Sequence, residues 1–359
     1  LGAFALLPGD LLDGDAGALR LAPDEAEREA VRERCARRAA RRTADRLAAL
    51  EPARTRDGVR VTVLGNAGSL ADAEDAIAAG AEGIGLLRSE LLFLDRANVP
   101  TEDEQEAVYR AVAEAVGPGR PLVVRTFDVG GDKPLRWLPL PEEENPALGE
   151  RGLRVFIDRP DLFRAQLRAL LRVPPEYDVR VTFPMVATLD EWRGALADVE
   201  EERAALGAPP RVAGMTVEVA SAAILADAFL REAGFATIGT NDLTQFTLAM
   251  DRGHPRLSPR ADALDPAVLH LVARTAAAAR KRGVPVAVCG ALAGDLAAVP
   301  LLLGLGVGEL SVGAAQVPSV KARVRELSLE ECRSLAVGAL EAGTAAEVRA
   351  LLAASWGAA

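Results

Sequence analysis

Histidine, lysine, cysteine and aromatic residues are all scarce in this sequence of 359 residues, and each shortage narrows what the chain does. The three cysteines, Cys35, Cys289 and Cys332, are too few and too scattered for a disulfide framework or a zinc cage, so a reducing, cytoplasmic setting is the expectation. No run of about 18 or more uncharged apolar residues occurs, which excludes an evident membrane span. The opening LGAFALLPGD has no basic region and is interrupted by Pro8 and Asp10, against a secretory signal. Leu1 is not an initiator methionine, and the chain is expected to be a fragment. A formal charge of −10 argues against general nucleic-acid binding. Only 4% of residues are aromatic although half are hydrophobic, so a large core must rest mainly on Ala, Leu and Val. Of the 42 basic residues only Lys133, Lys281 and Lys321 are lysines. An arginine at any one place is therefore weak evidence of function, and a lysine somewhat stronger.

What is present falls into three zones: 1–22, 23–57 and 58–359. The first is short apolar pieces broken by Pro8-Gly9-Asp10 and Asp13-Gly14-Asp15. In the second, residues 23–50 lack internal glycine or proline and carry acids early and arginines late, an order that suits the helix dipole and predicts a long, solvated linker helix. In the third, short β-branched runs alternate with Ala/Leu-rich helical stretches. Eight runs stand out: 59–65, 83–87, 122–127, 179–183, 212–218, 236–239, 285–289 and 309–312. Most are apolar enough to be buried on both faces, as parallel strands covered by helices must be. Eight such units over this length predict a closed (β/α)₈ barrel rather than an open doubly wound sheet. The stretch 128–150, with four prolines, reads as a long functional loop.

Barrel chemistry is assembled where strands end, so the residues closing each run are the candidates. In order they are Asn66; Arg88 and Glu90; Arg125 and Asp128, followed by Gly130, Gly131, Asp132 and Lys133; Pro184 and Met185; Glu218; Asn241 and Asp242; Cys289 and Gly290; and Ser311. Arg88 and Arg125 suit a small, multiply charged anion, because guanidinium forks match phosphate and carboxylate. The plainer reading is ion pairing to Glu90 or Asp128. Glu218 and Asp242 suit Mg²⁺, which keeps waters and takes further oxygens from a phosphorylated ligand; the plainer reading is two helix N-caps. Cys289 reads either as a small buried hydrophobe or as a general acid beside a helix start. His270, in an apolar helical stretch, is expected to pack, and His254 lies in a loop.

These segments resemble enzyme I of the bacterial phosphoenolpyruvate:sugar phosphotransferase system, in its C-terminal phosphoenolpyruvate-binding half. The resemblance runs through GIGLLRSE (83–90), NVPTEDEQ (98–105), VVRTFDVGGDK (123–133) and NPALGERGLR (145–154). It continues through GMTVEVASAAILAD (214–227), TIGTNDLTQFTLAMDRG (237–253), CGALAGD (289–295) and LLGLGVGELSV (302–312). It implies that 1–22 is the tail of a phosphohistidine domain, 23–57 a linker helix and 58–359 the phosphoenolpyruvate-binding barrel. By resemblance, Arg88, Arg125 and Arg151 surround the phosphoryl group, Asn241 and Arg252 hold phosphate and carboxylate, and Lys133 matches the GGDK lysine. Glu218 and Asp242 match Mg²⁺ ligands, and Cys289 the cysteine that protonates the enolate carbon as pyruvate forms. The resemblance also implies a homodimer through the barrel, and a histidine phosphocarrier protein as partner through a missing N-terminal part. Ala220 departs from a proline, and Ala291 from the glutamate of C-G-E. Neither His254 nor His270 sits in a phosphoacceptor motif, so the acceptor histidine is expected on a separate domain. The barrel of a pyruvate phosphate dikinase or phosphoenolpyruvate synthase is an alternative, and a non-catalytic binding or dimerisation module another.

Overall fold

A computed structural model describes residues 11–13, 18–94, 96–130 and 135–356. The chain forms two compact units, 1–48 and 49–359. In the first, Leu11–Asp13 pairs antiparallel with Ala18–Arg20, and the helix Glu25–Ala48 follows. That helix has Glu25 and Glu27 in its first turn and Arg46 in its last, and none of its residues is buried. Complementary end charges rather than packing therefore favour it.

In the second unit the eight apolar runs become eight parallel strands. They are β1 (Arg60–Ala67), β2 (Ile84–Arg88), β3 (Pro121–Arg125), β4 (Asp178–Phe183), β5 (Ala213–Val217), β6 (Ala236–Ile238), β7 (Val286–Val288) and β8 (Glu309–Gly313). Each pairs with the next, and β8 pairs back onto β1, with Leu310 opposite Val63 and Ser311 opposite Leu64. The sheet is closed, and the fold is a (β/α)₈ barrel. A two-residue strand, Ala53–Arg54, adds antiparallel to the start of β1.

Local signals set where the outer helices begin. Thr101 and Thr188 close reciprocal capping boxes with Glu104 and Glu191, starting the helices Glu102–Val116 and Leu189–Leu206. Asp265 accepts from the Ala267 N–H, with Pro266 at the first position of Pro266–Arg282. The apolar sides of these helices close over strands whose own residues are almost all buried. The core is mostly aliphatic, yet the few aromatics are not dispersed. Tyr109, Phe93, Phe127, Phe156, Phe163, Phe183 and Trp192 form a continuous line of ring contacts, with Trp137 branching from Phe127. This line places the aromatic contacts behind one sector of the barrel, beside β2, β3 and β4. No described helix is long and apolar enough to cross a membrane.

Candidate active site

Parallel pairing puts Arg88 directly level with Arg125, the last residues of β2 and β3. Both open into a cavity of about 370 Å³ at the C-terminal mouth of the barrel. Glu218 after β5, Asn241 and Asp242 after β6, Arg252 and Cys289 after β7 line the same cavity. Arg151 lies beneath it, fully buried, and Lys133 lies outside the described residues. Below the charged layer a hydroxyl ladder crosses the barrel interior, Thr182 to Thr216 at 3.3 Å and Thr237 to Thr216 at 3.3 Å.

The arginines differ in what they have left to give. Arg125 pairs with Glu90, and its second terminal nitrogen is 3.0 Å from Asp128. Arg151 donates through Nε and Nη2 to the two oxygens of Asp128 (2.9 and 3.1 Å) and through Nη1 to Asp242 (2.8 Å). Arg252 reaches the other oxygen of Asp242 at 3.3 Å. Burial alone would lower the pKa of Arg125, but the Glu90, Asp128 and Glu218 charges overcome it; Asp128 and Asp242 do the same for Arg151. Both therefore stay charged. Arg88 makes no ion pair among the described residues, and it is half-buried. The ion-pairing reading thus describes Arg125 but not Arg88. Arg125 Nε and Glu90 Oε2 are also buried without a protein hydrogen-bond partner, an arrangement a dry resting site does not favour.

Neither carboxylate is an N-cap. The caps of Ala220–Ile224 and Thr240–Leu248 are Val219 and Gly239, and neither makes a side-chain capping bond. Glu218 instead crosses to the end of β4, where its Oε1 accepts from the Met185 N–H at 2.7 Å. Met185 adopts φ +57°, a costly left-handed conformation for a non-glycine residue, and it presents that N–H at the site. Burial pushes the Glu218 carboxyl up to about 7, and Asp242 and Asp128 push further against the pull of Arg125 and Arg151. A divalent cation between Glu218 and Asp242 would relieve that repulsion. Hard oxygen donors from two carboxylates, completed by water and ligand oxygens, are a donor set that Mg²⁺ accepts.

Cys289 is buried, and its thiol donates to the Ile238 carbonyl at 3.6 Å. Burial pushes the thiol up to about 11, Glu218 adding to the effect and Arg125 and Arg88 opposing it. At neutral pH it holds its proton at the cavity wall. The turn after it is fixed by Asn241, whose Oδ1 accepts from the Ala291 N–H at 3.0 Å. Gly290 permits this approach, since a Cβ there would stand 2.0 Å from Thr240 Oγ1. From β1, Asn66 donates to the carbonyls of Cys289 (3.2 Å) and Ser311 (3.0 Å) and accepts from the Ser311 hydroxyl at 2.7 Å. Asn66 and Ser311 are therefore supports of the β7 end.

Neither histidine lines the cavity. His254 Nδ1 accepts from the Arg256 N–H within its own loop. His270, expected to pack, is exposed, with Nε2 at 3.1 Å from the Leu340 carbonyl. Glu90 and Asp128 pair with Arg125 as the plainer reading expected, and only the fold shows that Asp128 also anchors Arg151. The sequence signal for them was their position two or three residues beyond a strand end.

Residues 42–329 match the family described as PEP-utilising enzyme, PEP-binding domain. The chain is 46% identical over 341 residues to a multiphosphoryl transfer protein of Rhodobacter capsulatus, covering 95% of this chain and 41% of that protein. It is 44% identical over 304 residues to the phosphoenolpyruvate-protein phosphotransferase of Geobacillus stearothermophilus, covering 83% and 52%. To that of Latilactobacillus sakei it is 40% identical over 347 residues, covering 94% and 60%. The chain thus spans about half the length of the curated relatives it matches. Matched from 42 to 329, through every strand of the barrel, the chain belongs to the family of PEP-binding domains of the PEP-utilising enzymes.

Proposed function

We propose that this barrel binds phosphoenolpyruvate with Mg²⁺ and presents its phosphoryl group to a histidine on a separate domain, leaving pyruvate. The observation that carries the reading is the level pair Arg88 and Arg125, one unpaired and one anchored, in a single cavity with a protonated thiol. Phosphoenolpyruvate offers a phosphoryl group for the arginines, with Arg151 behind them, and a carboxylate for Asn241 and Arg252. Lys133 is assigned to the phosphate by resemblance. Glu218 and Asp242 would hold Mg²⁺, which when bound neutralises charge on the phosphoryl oxygens.

Transfer breaks the bond between phosphorus and the enol oxygen, whose electron pair stays with the enolate. The anchored arginine dipoles stabilise charge on the moving phosphoryl group without reorganising. The Cys289 proton then passes to the methylene carbon, completing pyruvate, and the thiolate is reprotonated from solvent. A histidine phosphocarrier as onward partner, assembly as a homodimer through the barrel and a cytoplasmic setting complete the proposal. The names of the relatives favour a protein phosphotransferase over a dikinase.

Calorimetric titration with phosphoenolpyruvate tests this reading. Binding should require Mg²⁺ and be lost in Glu218→Ala. Absence of binding would favour a non-catalytic module, a reading motivated by Ala291, which stands where the C-G-E motif has its glutamate.

A further inference from the structure

Gln166 is fully buried on the helix Pro160–Arg172, among Leu162, Phe163, Leu167 and Leu170, and no role in the chemistry above uses it. A carboxamide in such a place is costly unless every donor and acceptor is paired. Here the amide bonds run toward the active site. Oε1 accepts from the Phe127 N–H at 3.0 Å. Nε2 donates to the Ser89 hydroxyl at 3.0 Å and to the Tyr109 hydroxyl at 2.9 Å. The Ser89 hydroxyl in turn donates to the Arg125 carbonyl at 2.6 Å.

The placement of those contacts is informative. Ser89 stands between Arg88 and Glu90, and Phe127 stands next to Asp128, two residues after Arg125. Strand β3 ends at Arg125, and the Thr126 N–H still reaches Thr182 in β4, but the Phe127 N–H has left the ladder and finds its acceptor in Gln166. One side chain from outside the barrel thereby ties together the ends of two adjacent strands. Those ends carry Arg88, which has no ion pair among the described residues, the anchored Arg125 and both carboxylates that Arg125 meets. The Arg125–Glu90 pair bridges the same two strand ends, so it depends on their register.

We propose that Gln166 is a positioning residue that fixes the spacing of Arg88 and Arg125 and so tunes the site to the phosphoryl group. The proposal rests on the reading of the rim as a phosphoenolpyruvate site. Because the strand ends that Gln166 holds are those of β2 and β3, its loss should weaken recognition of the phosphoryl group and spare the Glu218, Asp242 and Asn241 side of the cavity.

The test compares two ligands on the full chain with Mg²⁺: phosphoenolpyruvate, and oxalate, which has carboxylates but no phosphoryl group. Gln166→Met, close in volume, should weaken phosphoenolpyruvate about tenfold, the loss expected when a charge-assisted contact is misaligned. Its oxalate affinity should stay within about twofold. Ser89→Ala removes one arm of the clamp at little cost in volume and should show the same split in smaller measure; it decides the matter if Gln166→Met does not fold. Combined, the two changes should be less than additive, since both cut one network. Equal weakening of both ligands, or no change in either, would overturn the proposal. Failure of the unmodified chain to bind phosphoenolpyruvate would instead overturn the underlying reading.

Discussion

Arg151→Met is the perturbation with the clearest energetic signature. The guanidinium is fully buried and donates three hydrogen bonds, two to Asp128 and one to Asp242. Methionine fills much of the volume but leaves those carboxylates short of their partner, and removing one side of a buried pair costs about 3–5 kcal/mol. Arg125 still faces Asp128 and Arg252 still faces Asp242, which places the expected loss near the lower end, about 3 kcal/mol. In a domain this large, Ala49–Ala359, each kcal/mol moves the midpoint by roughly 1.5 °C, so thermal unfolding should come about 5 °C earlier. Urea denaturation at several pH values is the assay. Losing one cation makes protonation of the two carboxylates easier, so the deficit should shrink as pH falls. Adding Asp128→Asn should recover part of the loss at neutral pH, because the neutral amide removes one of the under-compensated buried charges. A single variant within 1 kcal/mol of the parent, or a deficit that grows toward acid, would refute the reasoning.

Glu218→Gln should be at least as stable as the parent above pH 7 without metal. With its carboxyl pushed up to about 7, the stability Glu218 contributes is fully present below its ordinary carboxylate value and is lost as pH rises to about 7. Denaturation against pH should show the two proteins diverging across that window, and a parent that instead gains stability there would contradict it. Cys289 should resist alkylation by iodoacetamide at neutral pH and react steeply only toward pH 11, while exposed Cys35 reacts first; peptide mapping reads both, and fast neutral labelling of Cys289 would remove it as a held proton donor. Gly290→Ala should cost about 1–3 kcal/mol by overpacking against Thr240 and weaken phosphoenolpyruvate, with Thr240→Ala restoring part of the stability. Equal losses with and without Thr240→Ala would place the strain elsewhere.

The barrel was legible because strands buried on both faces leave apolar runs, and helices between them leave an Ala/Leu texture. All eight runs begin and end within two residues of the observed strands. The rim was legible for the same reason, since a polar residue closing an apolar run stands where the strand emerges. What periodicity does not carry is pairing. Arg88 and Arg125 close their runs alike, yet among the described residues one meets no carboxylate and the other two, because Glu90 turns toward its neighbour's arginine. Arg151 lies beyond a long loop, and nothing local says that it enters the barrel mouth under Asp242. Gln166 is one polar residue in a helix, visible as a clamp only once β2 and β3 are side by side. Lysine scarcity was an imperfect guide. Lys321 is buried at the opposite end of the barrel, donating to the carbonyls of Ala49 (2.8 Å), Gly80 (2.7 Å) and Glu51 (3.3 Å), a structural use of a rare residue.

The most direct test of the central claim is the phosphorus NMR signal of phosphoenolpyruvate titrated with this chain. With Mg²⁺ present the resonance should broaden and shift saturably. In Arg88→Ala, whose guanidinium takes part in no ion pair among the described residues, the fold should persist while the effect disappears. A resonance unmoved by the unmodified chain, or moved equally by Arg88→Ala, would contradict the account.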